Sequence, residues 1–329
     1  MPDFTIIEAP SYLGLKPGGV EHLPDALLNA GLARRLGAQR HARLAVPPYD
    51  ARRDPETGIL NPARIRDFSV MLADIVAPVV ARRSFPVVLG GDCSILLGNQ
   101  LALRRSGRRH GLLFLDGHAD FYQPAASPTG EAADMDLALV TGRGPDIVAD
   151  LEGLRPLVRD EDVAVLGQRD ADQAREYGSQ PLPPTMFVQD LPELRRVGAD
   201  EAARAAIEHL CRPELDGFWI HLDVDVLDDA IMPAVDYRMP DGLSWEELET
   251  ILNAAMRSGH ARGINVTIFN PTLDKNGAIA RQLVNTLARG LVRSPDARLE
   301  LCAQRQRRMG LAPSGFWAGW AKPVPAGNS

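Results

Sequence analysis

Apolar residues along this chain gather into short, nearly unbroken runs, separated by longer stretches where they recur every three or four positions. The runs are FTIIEA (4–9), FPVVLG (85–90), GLLFLD (111–116), DVAVLG (162–167), TMFVQD (185–190), FWIHLDVD (218–225) and GINVTIF (263–269). Their Val, Ile, Leu and Phe content, with little alternation, predicts parallel strands covered on both faces. The amphipathic stretches predict helices over roughly 64–83, 94–105, 199–211, 244–258 and 276–292. In SWEELETILNAAMRSG (244–259), Ser244 predicts an N-cap, Glu247 completes a capping box, and Gly259 is the stop. Strands alternating with helices build right-handed βαβ units. The pattern therefore predicts an α/β fold, a three-layer α/β/α sandwich around a central, mostly parallel sheet.

Composition narrows the class. The chain has 329 residues, 45% hydrophobic and 24% charged, ample for a large core. A single domain is expected over 1–293. The stretch 294–329 is expected to be a C-terminal extension, at a subunit contact if Phe316, Trp317 and Trp320 are exposed. A formal charge of −7 argues against a general nucleic-acid binder, which carries a basic surface. No run of 18 apolar residues predicts a membrane span, and MPDFTIIEAP has no signal-peptide pattern. Cys93, Cys211 and Cys302 are odd in number and widely spaced, which suggests no disulfide framework and a reducing compartment. A cytoplasmic protein with a small-molecule substrate, no nucleic acid and no membrane is the expectation.

Two strand ends carry the chemistry. In LFLDGHADF (113–121), Asp116, His118 and Asp120 alternate, and share one face if the strand stays extended. In HLDVDVLDDAIMPAVD (221–236), Asp223 and Asp225 do the same. A lone DxD at a strand end is as often a solvated turn. Two in one chain, with a GGDC turn after a third strand, predict convergence on a cation, because buried carboxylates cost several kcal/mol unless paired or metal-bound. Five oxygen and nitrogen donors suit a divalent pair able to activate water.

The ordered set GGDCS (90–94), DGHAD (116–120), DVDVLD (223–228) and NPTLD (270–274) resembles the arginase/agmatinase (ureohydrolase) family over roughly residues 80–290. The resemblance implies an arginase-like fold and a homo-oligomer, a trimer or hexamer. It implies Mn-dependent hydrolysis of linear C–N bonds in guanidino or formimidoyl compounds, with a metal-bridging hydroxide as nucleophile. It also implies that Asp116 and Asp223 bridge two ions. His118 and Asp225 would complete one ion's site, and Asp120 the other's, beside a position that is usually histidine and here is Cys93. A thiolate ligand would favour Zn2+ or Fe2+ over Mn2+. A half-occupied single-metal site and an inert buried thiol stay open alternatives.

Other positions depart from the family pattern. TGEAADMD (129–136) has Ala133 where a proton-shuttling histidine is implied, leaving Glu131, Asp134, Asp136 or His221 for acid–base work. IFNP (268–271) has Ile268 where an acidic residue would meet a guanidinium, so plain arginine is not the expected substrate. Tyr122, Asp172, Tyr237, Arg238 and Thr267 are the expected substrate contacts, with Asp172 preferred to Asp170. Two rival functions remain. One is a metal-binding but impaired relative acting as a regulatory or assembly subunit. The other is a single-Zn amide hydrolase on a related scaffold.

Overall fold

Eight strands pair side by side: β1 (Phe4–Ala9), β2 (Gln39–Arg43), β3 (Phe85–Gly90), β4 (Gly111–Leu115), β5 (Val163–Leu166), β6 (Phe187–Gln189), β7 (Phe218–Asp223) and β8 (Ala261–Thr267). Every pairing is parallel, in the order β2-β1-β3-β8-β7-β4-β5-β6. These come from a computed structural model that describes residues 2–292. The stretch 294–329, with Cys302 and the three aromatics, lies outside the described residues.

Burial explains why seven strands were visible in the pattern and β2 was not. Every residue of β1, β3, β4, β5 and β7 is buried. Alternate residues feed opposite layers. Val87, Leu113, Leu115, Ile220 and Leu222 pack with the helices Ala199–Leu210, Trp245–Ser258 and Ala278–Leu291. Val88, Leu112, Phe114 and Trp219 pack with Pro62–Ala81 and Ile95–Arg104. The three layers expected from the pattern are thus present. β2 reads QRHAR and lies exposed at the sheet edge, where charged side chains guard unpaired backbone.

The five expected helices lie within two residues of their predicted bounds. Ser244 accepts the Glu247 amide, and the Glu247 side chain accepts the Ser244 amide. Gly259 ends that helix at φ 73°. Such caps typically contribute about 1 kcal/mol.

Parallel pairing sends the C-terminal ends of β3, β8, β7, β4 and β5 to one edge of the sheet. In open α/β folds that edge is where ligand-binding loops collect.

Candidate metal centre

Both acidic motifs converge, by a route other than strand alternation. β4 stops at Leu115 and β7 at Asp223. Each chain then folds back on an Asx turn. Asp116 Oδ1 accepts the His118 amide at 2.7 Å, and Asp223 Oδ1 accepts the Asp225 amide at 2.7 Å. Each aspartate spends one oxygen on its own turn and leaves the other to face its neighbours. The Gly117 amide donates to Asp225 Oδ1 at 3.0 Å and ties the turns together. A Cβ at Gly117 would sit 2.9 Å from the Asp225 carbonyl oxygen, so a glycine suits this close approach of the two turns. Gly91 is more constrained still, because a Cβ there would lie 1.7 Å from the Ser11 carbonyl oxygen. Asp92 holds this loop, accepting from Ser11 Oγ at 2.8 Å and from the Ser94 amide at 2.9 Å.

Two donor sets share one residue. Asp116, His118 and Asp225 offer atoms within 4.8 Å of one another, and so do Cys93, Asp116 and Asp120. His118 Nδ1 lies 2.9 Å from Asp225 Oδ2. Cys93 Sγ lies 2.9 Å from Asp223 Oδ2, which brings the fourth carboxylate to the same place. A third set joins Cys93 to Asp136 and His221. Asp116, Asp120, Asp136, Asp223 and Asp225 are all at most 5% exposed. Burial, then Asp116, pushes Asp120 and Asp136 well above the usual carboxylate range; burial, then Asp225, does the same to Asp223. Burial, then the Asp223 charge, raises the Cys93 thiol. So much negative charge in a closed space fits divalent cations, for carboxylates with imidazole and thiolate are the donors such ions take.

The expected acid–base residues fall in different places. Asp134 belongs to the turn Ala132–Asp134; its Oδ2 accepts from Ser127 Oγ at 2.6 Å and its Oδ1 has no partner among the described residues. Burial pushes Asp134 up to about 7, against the Ser127 hydrogen bond. Glu131 is buried and accepts the Tyr237 hydroxyl at 2.7 Å. His221 has no exposed surface, so its ring is closed to solvent. Its ring stacks on Phe114 at 4.6 Å.

The expected substrate contacts need more correction. Tyr122 is buried, and burial, then Asp170, pushes its hydroxyl up to about 12. Tyr237 stands at the rim, under Lys16 Nζ at 5.0 Å. Arg238 is engaged with Asp229 at 3.0 Å. Thr267 is fully buried beneath the thiol, with Cys93 Sγ at 3.2 Å, and donates to the Leu222 carbonyl at 3.2 Å. It props Cys93 and is not open to substrate. Asp172 turns outward, its side chain 96% exposed and paired with Arg175. Asp170, the less preferred of the two, is 3% exposed, and neither of its oxygens has a partner among the described residues. The helix Ala171–Glu176 begins between them and swings Asp172 away. Ile268 is buried at φ 71°, a left-handed backbone that a β-branched residue rarely adopts, and its amide donates to the Gly91 carbonyl at 2.8 Å.

Comparison with known proteins agrees with this geometry. The arginase family model matches residues 2–292. An arginase of Staphylococcus aureus strain COL is 30% identical over 288 residues, covering 85% of this chain and 94% of its own. The solved arginase of Bacillus caldovelox superposes with a TM-score of 0.80 at 25% identity, covering 90% of this chain and 100% of that one. A proclavaminate amidino hydrolase from Streptomyces clavuligerus shares the fold at a TM-score of 0.61 and 17% identity, over 88% of this chain and 92% of its own. With a family match over residues 2–292 and two donor sets sharing Asp116, the chain belongs to the arginase family, metal-dependent hydrolases that cleave C–N bonds in guanidino compounds.

Proposed function

We propose that this chain hydrolyses a C–N bond of a small guanidino or related amidine compound other than free arginine. Two divalent ions, Mn2+ foremost, would be held by Cys93, Asp116, His118, Asp120, Asp223 and Asp225. The observation that carries this reading is Asp116. It belongs to both donor sets, and its Oδ2 has no hydrogen-bond partner among the described residues. Divalent ions bound there would supply the acidity that makes water a nucleophile near neutral pH.

The chain's own residues do the rest. Asp134 keeps one oxygen free and ionises near neutrality, which suits a group that holds a proton and passes it to a leaving nitrogen. Glu131 and Asp170 are buried acids with no arginine or lysine ion pair among the described residues, which favours a cationic or polarised C–N group nearby. Ile268 offers no charge to a guanidinium, which argues for a substrate less basic than arginine or one held by the other carboxylates.

The test is a panel of free arginine, modified and less basic guanidino acids and formimidoyl compounds, offered to the Mn2+-loaded protein, with released urea or ammonia measured. The expected outcome is turnover of one non-arginine compound and little of arginine. Efficient turnover of arginine overturns the substrate assignment. Two bound ions without turnover across the panel would favour an impaired, metal-binding relative.

A further inference from the structure

Resting on that two-ion reading, we propose that Asp136 is an additional ligand of the ion at the Cys93 corner, and that His221 is not a ligand but a positioning residue that turns its Nε2–H toward Asp136 and Asp116.

Asp136 has no exposed surface, and neither of its oxygens has a hydrogen-bond partner among the described residues. An ionised carboxylate left so costs several kcal/mol, so a proton or a cation must answer it. An Asp136 oxygen lies within 4.8 Å of both Cys93 Sγ and His221 Nε2. Two of these three groups can share an ion; the third is excluded by its own hydrogen bonds.

The exclusion starts at Trp219, whose indole can only donate. Its Nε1–H reaches Asn265 Oδ1 at 2.7 Å, which fixes the amide's orientation. Asn265 Nδ2 then donates to His221 Nδ1 at 2.8 Å. With Nδ1 accepting, the proton of the neutral imidazole is on Nε2, and Nε2 has no lone pair to give a metal. That N–H faces Asp116 Oδ2 at 3.7 Å and Asp136 Oδ2 at 3.9 Å, beyond direct hydrogen-bond reach, and none of the three atoms has a partner among the described residues. Stacking on Phe114 holds the ring in this pose. His221 is thus a positioning residue, as imidazoles and amides around metal ligands commonly are.

The consequence is chemical. With Cys93 alone as the changed donor, the corner would be softer and tilt toward Zn2+. Cys93 is the residue shared by the Cys93, Asp116 and Asp120 set and the set that includes Asp136, so Asp136 would add a hard oxygen at that corner and favour an ion such as Mn2+.

The test titrates metal-free wild type and Asp136→Asn with Mn2+ and Zn2+, counting bound ions by mass spectrometry and measuring affinity by calorimetry. Wild type is expected to take two ions, and Asp136→Asn to bind the second tenfold or more weakly with the first unchanged. Unchanged affinity for both ions in Asp136→Asn overturns the proposal while the two-ion reading stands; a proton shared with Asp120 would then satisfy Asp136. A wild type that takes no second ion overturns both. Should Asp136→Asn fail to fold, anomalous scattering from Zn2+-loaded wild-type crystals decides. An Asp136 oxygen within about 2.2 Å of an ion supports the proposal, and one beyond about 3 Å overturns it. Nitrogen-15 spectra of the metal-free protein should show the His221 proton on Nε2; a proton on Nδ1 overturns the role given to His221.

Discussion

Acids are buried in two contrasting settings. At the foot of β5, Asp162 has no exposed surface, yet Arg109 Nε reaches it at 2.6 Å and Arg212 Nη2 at 2.5 Å. Glu8 in β1 is met likewise by Arg40 at 2.7 Å and Arg43 at 2.9 Å. Around the turns that follow β4 and β7, no arginine or lysine ion pair reaches Asp116, Asp120, Asp136, Asp170 or Asp223 among the described residues. Arg169 stands close by, but its Nη2 donates to the Asp225 carbonyl at 2.8 Å and braces the turn. At Asp162 and Glu8 the chain supplies its own guanidinium groups; where the acids converge it withholds them. That difference marks the converging acids as ligands for charge brought from outside.

Removing that charge should have the largest effect. Chelation, or Asp223→Ala, is expected to lower turnover by about a thousandfold or more, since bound divalent ions contribute several kcal/mol to such reactions. Turnover surviving exhaustive chelation would break the contrast.

Next comes stability. Asp162→Ala should cost roughly 2–3 kcal/mol in denaturant unfolding, because it removes the buried carboxylate that joins the partly exposed Arg109 and Arg212. Asp120→Asn in the metal-free protein should cost nothing or stabilise, because it removes a buried charge that has no counter-ion. Equal losses in the two variants would erase the distinction.

pH should separate the two states of the site. Asp120, Asp136 and Asp223 have folded-state values raised above those of the unfolded chain, so their stabilising contribution is full below about 4 and is lost as pH rises. The melting temperature of the metal-free protein should therefore fall as pH climbs from about 4, and bound Mn2+ should remove most of that slope. A slope of the same size in both forms would count against a shared cation.

Asp134→Asn should lower kcat by about a hundredfold with bound metal unchanged. Asp172→Asn, at an exposed position, should alter stability by less than about 0.5 kcal/mol and leave activity near wild type. Comparable losses in the two variants would sink the assignment of Asp134.

Much of this was legible along the chain. Strands buried on both faces announce themselves as unbroken apolar runs, and the Ser244–Glu247 cap is a local pattern. The edge strand Gln39–Arg43 was not legible, because it is held by pairing to β1 and its side chains face water. The DxD motifs pointed to the right residues for a mistaken reason: local Asx turns, not continued strand, bring them together.

The sequence by itself determined the layered α/β architecture, the acidic strand ends and the thiol among them, because burial period and residue chemistry are written locally. Only the tertiary structure decided that Asp170 faces inward and Asp172 outward, that Thr267 lies under Cys93, and that His221 is held by Asn265 from the next strand. Those facts depend on where a strand stops and which distant side chain meets it there, and no local period carries that information.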